Sequence, residues 1–183
     1  MATKTAKTAS SKARLQEQDN AEVLKDLYLE QLRDLYSAEA QAVKVLPRMT
    51  KAAKSDKLRK AFETHLKQTT RQRDDVEKLI TNMGGKAKGH TCKGMQGILA
   101  EGLETIDKHK KSPPMIADAA LIGVAQRSEH YEISGYGTAR TVAELVGDKN
   151  GMKVLDRIAQ EEGDTDKLLT SLAQEVVMPA LVK

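Results

Sequence analysis

The stretch LIGVAQRSEHYEISGYGTARTVAELVG, residues 121–147, decides the fold. Taken at alternating steps of three and four, it yields Ile122, Ala125, Glu129, Glu132, Tyr136, Ala139, Ala143 and Val146, which is one face of an α-helix. That face is apolar at both ends and acidic in the middle. The spacing predicts a helix from about Met115 to Leu145, closed by Gly147, because Gly readily adopts the left-handed conformation that ends a helix. A helix that turns two carboxylates inward needs neighbours that can receive them.

Three more long helical patterns surround this one. The first runs from Asn20, a possible N-cap, to Lys54, with Pro47 placed to kink it near its end; its stripe is Leu24, Tyr28, Leu32, Leu35, Glu39, Ala42 and Leu46. The second starts at Ser55 or Asp56 and stops at Gly84-Gly85, with the stripe Leu58, Phe62, His65, Thr69, Gln72, Val76, Leu79 and Met83. The last begins near Lys149 and ends before Pro179, with Leu155, Ile158, Glu162, Asp166, Leu169, Ala173 and Val176 on one face. Short links make two antiparallel hairpins. The link over 86–114 is long, holds a shorter helix from Met95 to about Lys108, and ends at Ser112-Pro113-Pro114. It lets the second and third long helices run parallel, the connectivity of a ferritin-like four-helix bundle rather than of a simple up-and-down one. The expected fold is therefore all-α: two antiparallel helical hairpins joined by a long crossover with a short extra helix, over residues 19–183.

Composition agrees. The 183 residues fit one domain that can bury its own core. Five aromatic residues, Tyr28, Tyr36, Phe62, Tyr131 and Tyr136, and no Trp are too few for a typical β-sandwich or barrel. The single Cys92 excludes an intramolecular disulfide, an iron–sulfur cluster and a Cys-rich zinc site, and fits a reducing compartment. No apolar run approaches the about 20 residues that span a bilayer, and no hydrophobic segment follows the basic N-terminus as in a secretory signal. Residues 1–18, MATKTAKTASSKARLQEQ, are expected to be a disordered tail. Residues 1–16 hold Lys4, Lys7, Lys12 and Arg14 and no acid, which equals the whole net charge of +4 and leaves the remaining chain neutral on this formal count.

The stripes meet at their polar middles. With turns near residues 55 and 147, equal rise on returning helices puts Glu39 level with Gln72, and Glu129 and Glu132 level with Asp166 and Glu162. Five inward carboxylates on three helices then share one layer, and no Lys or Arg lies in the central stretch of any stripe. An unpaired buried carboxylate is destabilising by several kcal/mol. Two solutions remain: some carboxylates stay protonated and share hydrogen bonds, or divalent cations neutralise them. Oxygen donors with a little imidazole suit iron, manganese or magnesium, and zinc less specifically. His65 lies two turns from Gln72, as an outer ligand or the partner of another acid; Tyr136 and Thr69 are placed to support the ligands. His130 and Glu63 point off the stripes, and Cys92 reads as a packing residue.

At these residues the chain closely resembles the YciE/YciF family of bacterial ferritin-like stress proteins. The matching segments are LRDLYSAEAQ (32–41), AFETHLKQTTRQ (61–72), CKGMQGILAEG (92–102), DAALIGVAQRSEHYEISGYGTA (118–139) and the EEGDTDKL run (161–168), which together cover nearly everything after the tail. The resemblance implies a ferritin-like fold, a homodimer, rubrerythrin-type relatives and a bacterial cytoplasmic protein linked to stress. The wider di-iron pattern implies one Glu from the first helix, matched by Glu39, and one from the third, matched by Glu129 or Glu132. It also implies Glu-x-x-His on the second and fourth helices. Here those places read Thr69-x-x-Gln72 and Glu162-x-x-Thr165, with Asp166 next along, so both usual histidines are missing. A neutral amide oxygen is a weak ligand, which points to more oxygen-rich binding of one or two ions.

Two functions follow as expectations. One is a carboxylate-rich iron or manganese site, possibly dinuclear, formed by Glu39, Glu129, Glu132, Glu162 and Asp166 with Gln72 and His65 as outer or optional ligands, oxidising ferrous iron or consuming peroxide. The other is a non-enzymatic stress protein whose basic tail binds nucleic acid or another polyanion weakly and salt-sensitively. No phosphate-loop spacing and no Ser/His/Asp nucleophile arrangement is present.

Overall fold

A computed structural model describes the backbone of residues 2–177 and the side chains of residues 17–175. Over these residues the protein is helical throughout: α1 (Ala2–Ala52), α2 (Asp56–Asn82), α3 (Lys93–Lys108), α4 (Pro114–Leu145) and α5 (Lys149–Leu172), followed by a π-helical turn, Ala173–Val177.

Each boundary has a local cause. Ser55 caps α2 by accepting from the Leu58 N–H at 3.2 Å, and Gly84, at φ 74°, lets the chain leave that helix. Asp148 caps α5 through Gly151 N–H, 2.8 Å away. Pro47 lies inside α1 on an exposed turn, and the helix runs past it to Ala52. α1 begins at Ala2, well before the expected start at Asn20. The preceding segment is rich in Ala, Lys and Thr, and no Gly or Pro occurs before Pro47, so it holds no strong helix breaker. The side chains of Lys4, Lys7, Lys12 and Arg14, and the end of the last pattern at Pro179, lie outside the described residues.

α1 pairs with α2 and α4 with α5, and α3 lies across α1 and α4. Cross-links give the directions. Gln72 and Asp75 of α2 meet Glu162 and Arg157 of α5, while Lys57 meets Glu175 beyond α5, so α2 and α5 are antiparallel. Arg140 meets Asp156, and Gln126 meets Asp166, so α4 and α5 are antiparallel too. Tyr136 reaches Glu39 of α1, and Asp118 accepts from the N–H groups of Lys54 and Ser55 at 2.7 and 2.8 Å. α2 and α4 therefore run the same way, as the long crossover allows.

Two apolar clusters fill the interior. One joins Tyr28, Leu32 and Leu35 to Val76, Leu79 and Ile80, and to Ala139, Ala143, Leu155 and Ile158. The other joins Leu46 and Met49 to Leu58, Phe62, Leu121, Ile122, Leu169 and Leu172. Glu39, Thr69, Gln72, Glu129, Glu132 and Glu162, all buried, lie between them in every helix that contributes to both. The crossover is held by a smaller cluster of Ala38, Cys92, Met95 and Leu99.

Candidate metal centre

The polar layer is built one helix at a time. α1 supplies Glu39, fully buried, to which Tyr136 of α4 donates its hydroxyl proton. α2 supplies His65, Thr69 and Gln72. His65 Nε2 lies 3.1 Å from Glu129 Oε1, and the Thr69 hydroxyl is spent on the His65 carbonyl at 2.9 Å, one turn back. Gln72 Nε2 donates to Glu162 and to Glu161, the latter at 3.0 Å. α4 supplies Glu129 and Glu132, and α5 supplies Glu162. Ligand atoms of His65, Glu129 and Glu162 all fall within 4.8 Å of one another, close enough for a single ion to contact all three.

Electrostatics follow from burial. Among the described residues no Lys or Arg is buried with these acids. Loss of solvent pushes the Glu39, Glu132 and Glu162 carboxyls well above the ordinary carboxylate range, and repulsion among neighbours adds to it, from Glu162 on Glu39 and from Glu39 on Glu132. Burial also raises Glu129, to about 7. Tyr136 is pushed well up by burial and by Glu39 and Glu132, so it remains a donor. Without a cation this layer holds protons at neutral pH.

The donors present fit a divalent ion. Glu39 Oε2, Glu129 Oε2, Glu132 Oε1, Glu162 Oε2, Gln72 Oε1 and His65 Nδ1 are all buried without a protein hydrogen-bond partner. Buried polar atoms are normally satisfied. A cluster of orphaned oxygens with one imidazole is a donor set that a divalent cation can use.

Four of the five carboxylates singled out in the sequence share the layer, and Asp166 stands apart. It is half-buried one turn beyond Glu162, where Gln126 donates to it at 2.9 Å and His130 lies 3.3 Å away. Four residues on is about 40° past a full helical turn, and that offset carries it from the core toward the edge of the α4–α5 seam. His65 is central, beside Glu129. Glu161 escaped the stripe reading: it links Gln72 to Arg71 at 2.7 Å and Arg157 at 2.9 Å, outside the layer. The Arg157–Glu161 spacing of four was its one visible signal. Cys92 does more than pack: its sulfur accepts from the Met95 N–H, capping α3, and lies 2.9 Å from the Tyr131 hydroxyl. Tyr131 donates in turn to Asp34 at 2.8 Å. Burial pushes the Cys92 thiol up, so this cysteine stays protonated.

Helices and centre together define an all-helical protein with a buried carboxylate–histidine cluster. Residues 23–181 match the family described as a domain of unknown function, DUF892. Protein YciF of Escherichia coli (strain K12) is 37% identical over 155 residues, covering 84% of this chain and 92% of that protein. The chain belongs to this family, to which YciF is its relative. The crystal structure of the E. coli stress protein YciF matches with a TM-score of 0.77 at 36% identity, over 82% of this chain and 94% of that one. YcfI of Rhodopseudomonas palustris matches with a TM-score of 0.76 at 33% identity, over 80% and 92%. A Xanthomonas campestris protein, 17% identical over 86% and 96% of the two chains, shares the fold at a TM-score of 0.68.

Proposed function

We propose that this chain is a ferritin-like stress-response protein that binds one or two divalent ions, iron or manganese, in its polar layer. The observation that carries the reading is the convergence of Glu39, His65, Glu129, Glu132 and Glu162 at one depth, with orphaned ligand atoms and, among the described residues, no buried Lys or Arg to balance them. His65, Glu129 and Glu162 are the first ligands; Glu39 and Glu132 extend the set toward a second ion. Iron or manganese held there supplies one-electron chemistry toward dioxygen or peroxide.

The protein's own groups prepare the site. Gln72 holds one oxygen of Glu162, and Glu161 with its two arginines holds Gln72, leaving the other Glu162 oxygen to face the centre. Tyr136 does the same for Glu39. In the ion-free site burial raises Glu129 to about 7, so ion binding there would release a proton. Apolar clusters lie above and below the layer. Titrating the chelator-treated protein with Fe(II) or Mn(II) tests the proposal: the wild type is expected to bind at least tenfold more tightly than a Glu132→Ala/Glu162→Ala double variant. Equal binding by the two would refute it.

A further inference from the structure

A cavity of about 410 Å³ follows the seam of α2 and α5. Its walls are Phe62 on α2 and Leu168, Leu169 and Leu172 on α5. One end is marked by the Lys57–Glu175 ion pair, 3.1 Å. At the other end His65 and Glu129 form part of the lining. Those two side chains are almost fully buried, and each keeps a polar atom, His65 Nδ1 and Glu129 Oε2, without a partner. From the level of Lys57 to that of His65 is eight residues, about 12 Å of helix, the reach of a medium-length alkyl chain.

We infer that this groove binds an aliphatic chain ending in one small oxygen-bearing head group, with the chain along Leu168, Leu169 and Leu172 and the head at His65 and Glu129. The apolar walls favour a hydrocarbon chain, since burial of apolar surface is their only means of binding. A purely apolar terminus would leave the two orphaned polar atoms unsatisfied, so the deep end selects an oxygen. Lys57 is occupied by Glu175, and Lys60, also on the lining, is exposed to solvent, so a neutral oxygen head gains more from the two buried polar atoms than from a hydrated ammonium. The inference deepens the metal reading, because His65 and Glu129 serve both, and rests on it for what becomes of the head group; binding itself is measurable without metal.

The test is calorimetric titration of the full chain, chelator-treated and Mn(II)-loaded, with 1-octanol and 1-butanol. Octanol is expected to bind at least tenfold more tightly than butanol in at least one form, and to shift the ring resonances of His65. Leu168→Asp and Leu168→Ser, at a half-exposed position that tolerates change, should each weaken octanol at least fivefold and leave Mn(II) affinity unaltered. Glu132→Gln, outside the groove lining, should weaken Mn(II) and leave octanol binding to the metal-free protein unaltered. Mn(II) uptake without octanol uptake overturns this inference alone; octanol uptake without Mn(II) uptake overturns the metal reading and leaves the groove standing. Octanol binding that is insensitive to Leu168 or leaves His65 unshifted also overturns it. A dimer that Leu168→Asp dissociates, with no octanol uptake, assigns the groove to a second copy of the chain and overturns it too.

Discussion

Glu132 faces three other carboxylates, Glu39, Glu162 and Glu129, and its Oε1 has no protein donor. Its environment makes protonation and metal binding competitors for the same oxygens, and the sign of the pH effect follows. The four buried acids have folded-state pKa values raised above their ordinary 4.5, Glu129 to about 7. The folded metal-free chain thus holds more protons than the unfolded one. The stabilisation is complete below about pH 4.5 and is lost as pH rises through 7 and beyond. Urea unfolding of the chelator-treated protein should show a midpoint that falls between pH 5 and 8, by up to about 1.4 kcal/mol per pH unit for each group that titrates. A midpoint that rises over that range would contradict the buried, unpaired state of these acids. Glu132→Gln removes the charge and keeps the shape, so at pH 8 it should stabilise the metal-free protein by about 1–3 kcal/mol. The same change should weaken Mn(II) binding tenfold or more, the reverse of a general folding defect.

Among elements, the turns are held by groups far away in sequence. Asp118 of α4 closes the α1–α2 turn by accepting from two consecutive backbone N–H groups. Asp118→Ala strands both donors in a partly buried place, and the thermal midpoint should drop by the equivalent of about 1–3 kcal/mol with metal affinity unchanged. Gly151, in the first turn of α5, is pressed between Asp148 and Tyr28: a Cβ there would lie 2.2 Å from both Asp148 Oδ2 and the Tyr28 hydroxyl. Gly151→Ala must break the Tyr28–Asp148 hydrogen bond or the α5 cap, and should be destabilising by about 1–3 kcal/mol in denaturant titration. The α3 crossover is tied by the chain Cys92–Tyr131–Asp34, with His90 on the same Asp34 carboxylate at 3.0 Å. Burial works against the Asp34 charge, yet hydrogen bonds from His90 and Tyr131 hold its pKa below the usual range.

Across the whole molecule the polar layer separates two apolar clusters, each drawing on both hairpins. The clusters supply stability, and the layer between them holds, among the described residues, no buried Lys or Arg to balance its acids. A ligand that binds only the folded layer raises stability in proportion to the logarithm of its concentration. The melting temperature should therefore climb with Mn(II) from its dissociation constant upward, with a gain of about 2.7 kcal/mol at one hundred times that constant. No climb in the wild type, or an equal one in Glu132→Ala/Glu162→Ala, would mean that the ion has no site in the layer.

The helical periods, the cap at Ser55, the glycine stops and the polar middles of four stripes were all legible in the residues, because each is a local rule of spacing or backbone geometry. The alignment of Glu39, Gln72, Glu132 and Glu162 at one depth also followed, since rise per residue converts loop position into height. Asp166 and His65 show where that conversion ends: an offset of about 40° from Glu162 puts Asp166 at the seam's edge, and the side-chain direction of His65 brings it to Glu129. Glu161, Asp118 and the Cys92–Tyr131–Asp34 chain carried almost no linear signal, for their partners lie tens of residues away. Residue pattern settled which faces turn inward; only three-dimensional packing, through the azimuth of each helix against its neighbours, determined which inward groups touch and which atoms remain without partners.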